Sequence, residues 1–549
     1  MTDNPFHRPI VHHGDCLAVL RTLPDESIDA VVTDPPYGLS NTDPKHVAET
    51  LTKWVTGDHE YTPPVKGGGF MGKTWDSFVP PPAVWDECMR VLKPGGHLLV
   101  FAGTRTQDLM GLSIRLAGFD IRDSIGWIYG SGFPKSMDVS KAIDKLGQGE
   151  MRRGKLIHFA TAREIDGKWL QEQGVADARS FADWTIEGHS PSERNWALIR
   201  DALGVTPEEE VAYEREVVGR GQSGPASVAF TRDSGGTYDI TAPATPEAEK
   251  WAGWGTALKP AIEPVIVARK PIKGTVAANV LAHGTGGINV DGCRVPTTDN
   301  LKGGAYAKVG GRTESASLHA GSGMNVPGKT TGKNFEQPEG RFPPNVLLDP
   351  EAAAAMDAQS GYQKDGVAVQ RNGGGQAIFG GIGNGENTTG ARKDQTYGGG
   401  GGASRFFPVF KYQAKAPAKE RPQYTAEDGR VVKHATVKPL ELMRWLVRLV
   451  TPAGGVVLDP FAGSGTTGEA AILEGFDSIL IEGEAEHLPL IDVRINRSAP
   501  AEDPHTTLFN RIKATTSRDE LVALYDEDPT VWTDEHTAAG TAHLERIER

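Results

Sequence analysis

The stretch TDPPYG, residues 33–38, closes the apolar run SIDAVV with an acid, two prolines and an aromatic. Pro35 and Pro36 fix φ near −65° and restrict the residues before them, so the carbonyls of the turn point in set directions. Asp34 and the Pro35 carbonyl then form a rigid pair of acceptors, with the flat face of Tyr37 beside them. A planar base with an exocyclic amine fits: its ring stacks on Tyr37 and its two N–H bonds are held by the two acceptors. Such an amine is a poor nucleophile, because its lone pair is delocalised into the ring. Acceptors on both N–H bonds favour a pyramidal nitrogen and free the lone pair for attack on a methyl sulfonium. The contribution would be positioning and preorganised electrostatics, with no metal. A base within a duplex must be flipped out to reach the pocket. The bland alternative is a rigid turn after a strand.

A second constellation lies in VVLDPFAGSGTTG. A strand ends at Asp459, a helix starts near Thr466, and Gly463 and Gly465 allow a sharp turn and close approach of a ligand. Glu482 follows 17 residues after Gly465, where dinucleotide folds place an acid on ribose hydroxyls. The loop is neither GxGxxG nor a phosphate-binding loop ending in GK[ST]. It points to a nucleoside without pyrophosphate, such as S-adenosylmethionine, or to a glycine-rich turn that binds nothing.

The elements around these loops alternate. SIDAVVT reads as a strand, AVWDECMRVL as a helix with Val84, Cys88, Val91 and Leu92 at helical spacing and KPGG as its stop, and HLLVFAG as a buried strand. TQDLMGLSIRLAGF is then a helix and IRDSIGWIYG a strand, which predicts a mostly parallel sheet covered by helices. Residues 146–250 mix short helical pieces with polar loops, and 300–402 are rich in Gly, Ser and Asn, expected as long mobile loops. Order resumes with VKPLELMRWLVRLV, an amphipathic helix with Leu440, Met443, Val447 and Val450 on one face. The expected layout is a catalytic half at 1–145, an insert at 146–402, a cofactor half at 403–497 and an acidic tail at 498–549.

With 549 residues the chain can hold two or three domains, and its three cysteines make neither a disulfide framework nor a zinc cluster. The N-terminus has no signal-peptide core and nothing approaches a membrane span, so a cytoplasmic protein is expected. The net charge of −13 hides an uneven distribution: residues 259–345 hold 11 Lys/Arg against 6 Asp/Glu, 403–448 hold 10 against 4, and 498–549 hold 5 against 11. Local binding of a polyanion is compatible with this, as are solvated faces of mixed sign. Lys259, Arg269, Lys270 and Lys273 are candidates for phosphate contact.

Together these residues resemble the amino-group DNA methyltransferases, whose catalytic motif is DPPY and whose S-adenosylmethionine loop looks like DPFAGSG. The order, catalytic motif first and cofactor loop last, resembles the β class. GSGFPKS and GTALKPAIEPVIVARKP resemble phage-type members, implying the host cytoplasm. The resemblance covers about 10–145 and 403–497. It implies a Rossmann-like α/β fold split by a target-recognition insert, with double-stranded DNA as partner. Asp34, Pro35, Pro36 and Tyr37 would form the base pocket. Asp459, Phe461, Gly463 and Gly465 would wrap the cofactor, and Glu482 would take its ribose. Asp15 matches the acid near the cofactor's adenine, or is a surface turn acid. Thr436, Lys438 and Pro439 in HATVKP match the segment over the methionine end, or simply start a helix at Pro439. After Glu482 the family usually has an Asn/Asp-Pro turn, where this chain has GEAEH.

Asp rather than Ser at the first motif position favours adenine over N4-cytosine as target. A cytosine-carbon methyltransferase would need a Pro-Cys pair, which the chain lacks. RNA or protein-glutamine methyltransferases more often have Asn-Pro-Pro-Tyr with the cofactor loop upstream. A non-catalytic DNA-binding protein with the same fold would be expected to lose Asp34 or the glycines. The oligomeric state and the recognition sequence are left open.

Overall fold

The computed structural model describes residues 9–498 except 41, 65–75, 131, 133–135, 163–165, 175–177, 186–188, 204–214, 223–236, 298, 300–338, 365–366, 369–394, 397–398, 411–420, 427 and 435, together with scattered positions between 512 and 544. Most of the glycine-rich stretch expected as loops, and most of the acidic tail, lie outside the described residues.

β2 (Ile28–Thr33) is buried along its whole length, and β3 (Leu92–Phe101) over its last seven residues. Continuous burial of this kind requires helices on both faces. Successive side chains alternate between two cores, as the period of a strand demands. Val31, Leu98 and Val100 face one core with Leu20, Trp85, Cys88, Met110 and Ile114. Ala30, Val32, Leu99 and Phe101 face the other with Leu442, Leu446, Val447 and Ala470. The first core is covered by α1 (Cys16–Leu20), α2 (Pro82–Val91) and α3 (Gln107–Leu116), the second by α4 (Leu440–Val450) and α5 (Thr466–Glu474).

The strands that join them in the central sheet are β1 (Ile10–His13), β4 (Asp120–Ile128), β5 (Ile262–Arg269), β6 (Val346–Leu348), β7 (Val456–Asp459) and β8 (Asp477–Glu482). They form one eight-stranded sheet in the order β1-β8-β7-β2-β3-β5-β4-β6. β1, β8, β7, β2 and β3 run parallel, while β5 is antiparallel to β3 and β4 on either side. The sheet is therefore mixed, a Rossmann-like α/β arrangement with one reversed strand.

The reversed strand corrects the layout drawn from the sequence. The chain divides into two units, one of residues 1–130 with 262–549 and one of residues 131–261. The stretch 146–402 is thus not a single insert, because IEPVIVAR (262–269) is a largely apolar run that inserts into the sheet and VLL (346–348) pairs with β4. Two proposed phosphate contacts also change role. Arg269 ends β5 at 8% exposure, and Lys270 donates to the Leu92 carbonyl at 2.6 Å. Lys259 and Lys273 lie on the surface. KPGG does not stop α2 with a loop either: the chain is already extended at Leu92 and runs directly into β3.

Within residues 131–261, the long helix Val139–Ala162 and shorter helices gather around Leu156, Leu170, Trp184, Trp196 and Ile199. Arg215 pairs with the buried Asp144, which also accepts from the Ala244 amide at 3.0 Å and the Thr245 hydroxyl at 2.9 Å. Burial alone would raise that carboxyl, but these partners outweigh it and hold it below its ordinary range.

Candidate active site

Four neighbouring parallel strands, β1, β8, β7 and β2, end at the same edge of the sheet, where open α/β sheets bind ligands. Because β5 runs the other way, its first residues arrive at that edge as well, opposite the end of β3. A cavity of about 450 Å³ opens there, of a size suited to a small organic ligand. Its wall contains Asp15, Asp34, Pro35, Pro36, Tyr37, Thr436, Lys438, Asp459, Phe461, Gly463 and Glu482. Two other expected residues stand behind the wall: Pro439 precedes the first turn of α4, and Gly465 caps α5 at φ +79°.

The proline turn is held rigidly. The Thr106 hydroxyl donates to the Tyr37 carbonyl at 2.6 Å, and the Gly38 amide donates to the buried Asp76 at 2.9 Å. Gly38 sits at φ +65°, and a Cβ there would lie 2.7 Å from the Val79 backbone nitrogen, so only glycine fits. On this base Asp34 meets a cation. Lys438 Nζ donates to Asp34 Oδ2 at 2.7 Å and to Tyr37 Oη at 3.0 Å, and lies 3.1 Å from Glu263 Oε1. The ammonium also rests 4.7 Å from the ring centre of Phe101 and 5.3 Å from that of Tyr37. Burial pushes the Lys438 pKa down, but Asp34 and Glu263 more than reverse this, and it stays charged. The Tyr37 hydroxyl, buried beside two carboxylates, is pushed well above the ordinary phenol range and stays protonated.

The second loop is tied from below. Asp459 accepts from the hydroxyls of Thr33 at 2.6 Å and Thr467 at 2.5 Å and from the Phe461 amide at 3.1 Å. It therefore joins the ends of β2 and β7 and the start of α5. Glu482 joins β8 to the glycine loop: Oε2 accepts from the Gly463 amide at 2.7 Å, and Oε1 from the Glu484 amide at 2.8 Å. Oε1 also lies 3.2 Å from His487 Nδ1, while Oε2 keeps a further lone pair, so Glu482 can still receive a ribose hydroxyl there. His434 covers the loop, where a Cβ on Gly463 (φ +55°) would lie 3.0 Å from its Nε2. Asp15 both caps α1, accepting from the Ala18 amide at 2.9 Å, and lines the cavity, so its two readings coexist.

Glu263, His434, Asp76, Thr33 and Thr467 were not singled out from the sequence. An acid opening an apolar strand, as Glu263 does in IEPVIVAR, was the available signal. Among the described residues no group of three or more His, Cys, Asp or Glu is placed to hold a metal ion. Among them, too, no helix is long and apolar enough to cross a membrane.

Comparison with known proteins matches the same two segments. Residues 28–146 and 378–492 match the N6_N4_Mtase family model, described as DNA methylase. The chain is 32% identical over 92 residues to the Type II methyltransferase M.BamHI of Bacillus amyloliquefaciens, covering 17% of this chain and 16% of that protein. It is 43% identical over 68 residues to M2.MboI of Moraxella bovis, covering 12% of this chain and 25% of that one. The matched stretches thus span a quarter or less of the length of these relatives. Among solved structures, M1.HpyAVI in complex with SAM is similar at 12% identity and TM-score 0.30 over 89% of this chain and 98% of that one. The cytosine-N4-specific PvuII DNA methyltransferase is similar at 11% identity and TM-score 0.31, over 98% of this chain and 93% of the other. Both global likenesses are too weak to bear on fold or function. The family match covers the two segments that carry the proline turn and the glycine loop.

Proposed function

We propose that the protein transfers a methyl group from S-adenosylmethionine to the exocyclic amine of adenine in double-stranded DNA. The observation that carries this is the meeting of Asp34 and the glycine loop in one cavity. The residues present suit the cofactor: a glycine turn open to close approach, an aromatic at Phe461 and a carboxylate at Glu482 with acceptor capacity left. When bound it supplies an electrophilic methyl on sulfur. The protein's own part is to hold the flipped base on Tyr37 and accept its amine hydrogens at Asp34 and the Pro35 carbonyl. The amine would take the methyl through its freed lone pair, and the proton it then gives up would pass to Asp34 or to water. Phosphate contacts fall to surface cations such as Lys259 and Lys273, with residues 131–261 as the candidate recognition unit. The cell compartment that holds DNA, the cytoplasm of a bacterium, is where it would act.

Adenine is favoured over cytosine because a charged acceptor at the first motif position resembles the adenine enzymes more often. The test is Asp34→Ala with tritiated S-adenosylmethionine and unmethylated genomic DNA. Loss of a preorganised acceptor should lower kcat roughly 100-fold or more, with cofactor and DNA binding retained. A variant that still turns over normally would remove Asp34 from the chemistry.

A further inference from the structure

The hydrogen bonds among Lys438, Asp34, Tyr37 and Glu263 can be counted donor by donor. An ammonium has three N–H bonds, and three oxygens lie in reach of it: Asp34 Oδ2 at 2.7 Å, Tyr37 Oη at 3.0 Å and Glu263 Oε1 at 3.1 Å. Tyr37 is different. Its hydroxyl has one proton and two acceptors at the same distance, Asp34 Oδ1 and Glu263 Oε1, both 2.7 Å away. It can satisfy only one of them at a time.

That choice bears on access to Asp34. With the hydroxyl turned to Asp34, both carboxylate oxygens already receive a hydrogen bond, one from Lys438 and one from Tyr37. An incoming amine then has to share Oδ1 with the tyrosine, which occupies one of its two lone-pair positions and weakens both bonds. With the hydroxyl turned to Glu263, Oδ1 is released and nothing buried loses its partner. We propose that Glu263 is a positioning residue that takes the Tyr37 hydroxyl when the amine of the target base claims Asp34 Oδ1. No covalent bond changes; one hydrogen bond is redirected by rotation about the phenolic C–O bond. Lys438 stays in place throughout, because its three contacts are the same in either setting.

The same geometry explains why a second carboxylate stands in a site that needs only one acceptor from a side chain. If Glu263 were absent, turning the hydroxyl away from Asp34 would leave a part-buried donor without a side-chain acceptor, which is penalised. Tyr37 would then remain on Asp34 and oppose the substrate. The inference rests on the reading of the protein as an amine methyltransferase and adds to it the device that frees its acceptor.

The test compares Glu263→Ala, Glu263→Gln and Tyr37→Phe, alone and combined, at saturating tritiated S-adenosylmethionine and unmethylated genomic DNA. Glu263→Ala should lower kcat roughly 10- to 100-fold, whereas the glutamine, whose amide oxygen still accepts, should recover most of that loss. In the Tyr37→Phe background there is no hydroxyl to redirect, so adding Glu263→Ala should cost less than about twofold more. Calorimetric affinity for S-adenosylmethionine should be equal in all variants, which shows the cofactor half intact. An alanine penalty of the same size with and without the hydroxyl would overturn the proposal, and so would a glutamine variant as impaired as the alanine. Both results leave the methyltransferase reading standing. A wild-type protein that labels no DNA would instead overturn that reading, and this inference with it.

Discussion

Asp459 lies at 2% exposure between three donors, and burial raises its carboxyl from 3.8 to about 6 despite their hydrogen bonds. The folded chain therefore holds a proton between about pH 4 and 6 that the unfolded chain has released. Stability from this group is full below about pH 4 and is lost as pH rises through about 6. The gap corresponds to about 3 kcal/mol. The amide introduced by Asp459→Asn cannot ionise, so the variant's stability relative to wild type should improve by roughly 2 kcal/mol between pH 4.5 and 7. Denaturant unfolding at both values checks it, and a difference independent of pH would show Asp459 to be ionised across the range. At this scale the sequence was readable where chemistry is written in consecutive residues. Asp34 and Tyr37 stand in one tetrapeptide, whose types and spacing singled them out, and both line the cavity. Glu263 was not readable, because its partners Asp34 and Lys438 lie far away in the chain and only the reversed strand β5 brings it to them.

The strand–loop–helix unit around β7, α5 and β8 was the element most legible in advance. Its glycines mark positive φ, its apolar runs mark buried strands, and Glu482 ends the second strand as expected. What spacing could not reveal is that Glu482 also builds the loop it serves, through the amides of Gly463 and Glu484. A substitution of Gly463 would be a poor probe of ligand contact, since φ +55° and the nearness of His434 already forbid a side chain. Glu482→Ala is better. It removes charge-assisted bonds of about 1.5–3 kcal/mol each, so affinity for S-adenosylmethionine should fall roughly 10- to 100-fold in calorimetry. Unchanged affinity would place the cofactor elsewhere. The helix Leu440–Val450 was legible as well, but as a narrower stripe than the structure buries: Leu442, Trp445, Leu446 and Leu449 are also covered, because the helix is wedged between the sheet and α5.

For the molecule as a whole, local patterns gave the alternation of strands and helices but not the direction of every strand. A buried apolar run such as PVIVAR reads alike in parallel and antiparallel settings, and the pairing of β5 between β3 and β4 is a long-range fact. This is why the boundary of the separate unit falls at 131–261 and not at 146–402. The assembled sheet brings the proline turn, the glycine loop and the start of β5 to one edge, around one cavity. That convergence is the basis for reading the protein as a methyltransferase of base amines. The direct test is mass spectrometry of nucleosides from unmethylated DNA incubated with the protein and trideuteromethyl S-adenosylmethionine. The expected product is deuterated N6-methyldeoxyadenosine, absent with Asp34→Ala. N4-methyldeoxycytidine alone would overturn the choice of base, and the absence of label from every amino group of the DNA would contradict the account itself.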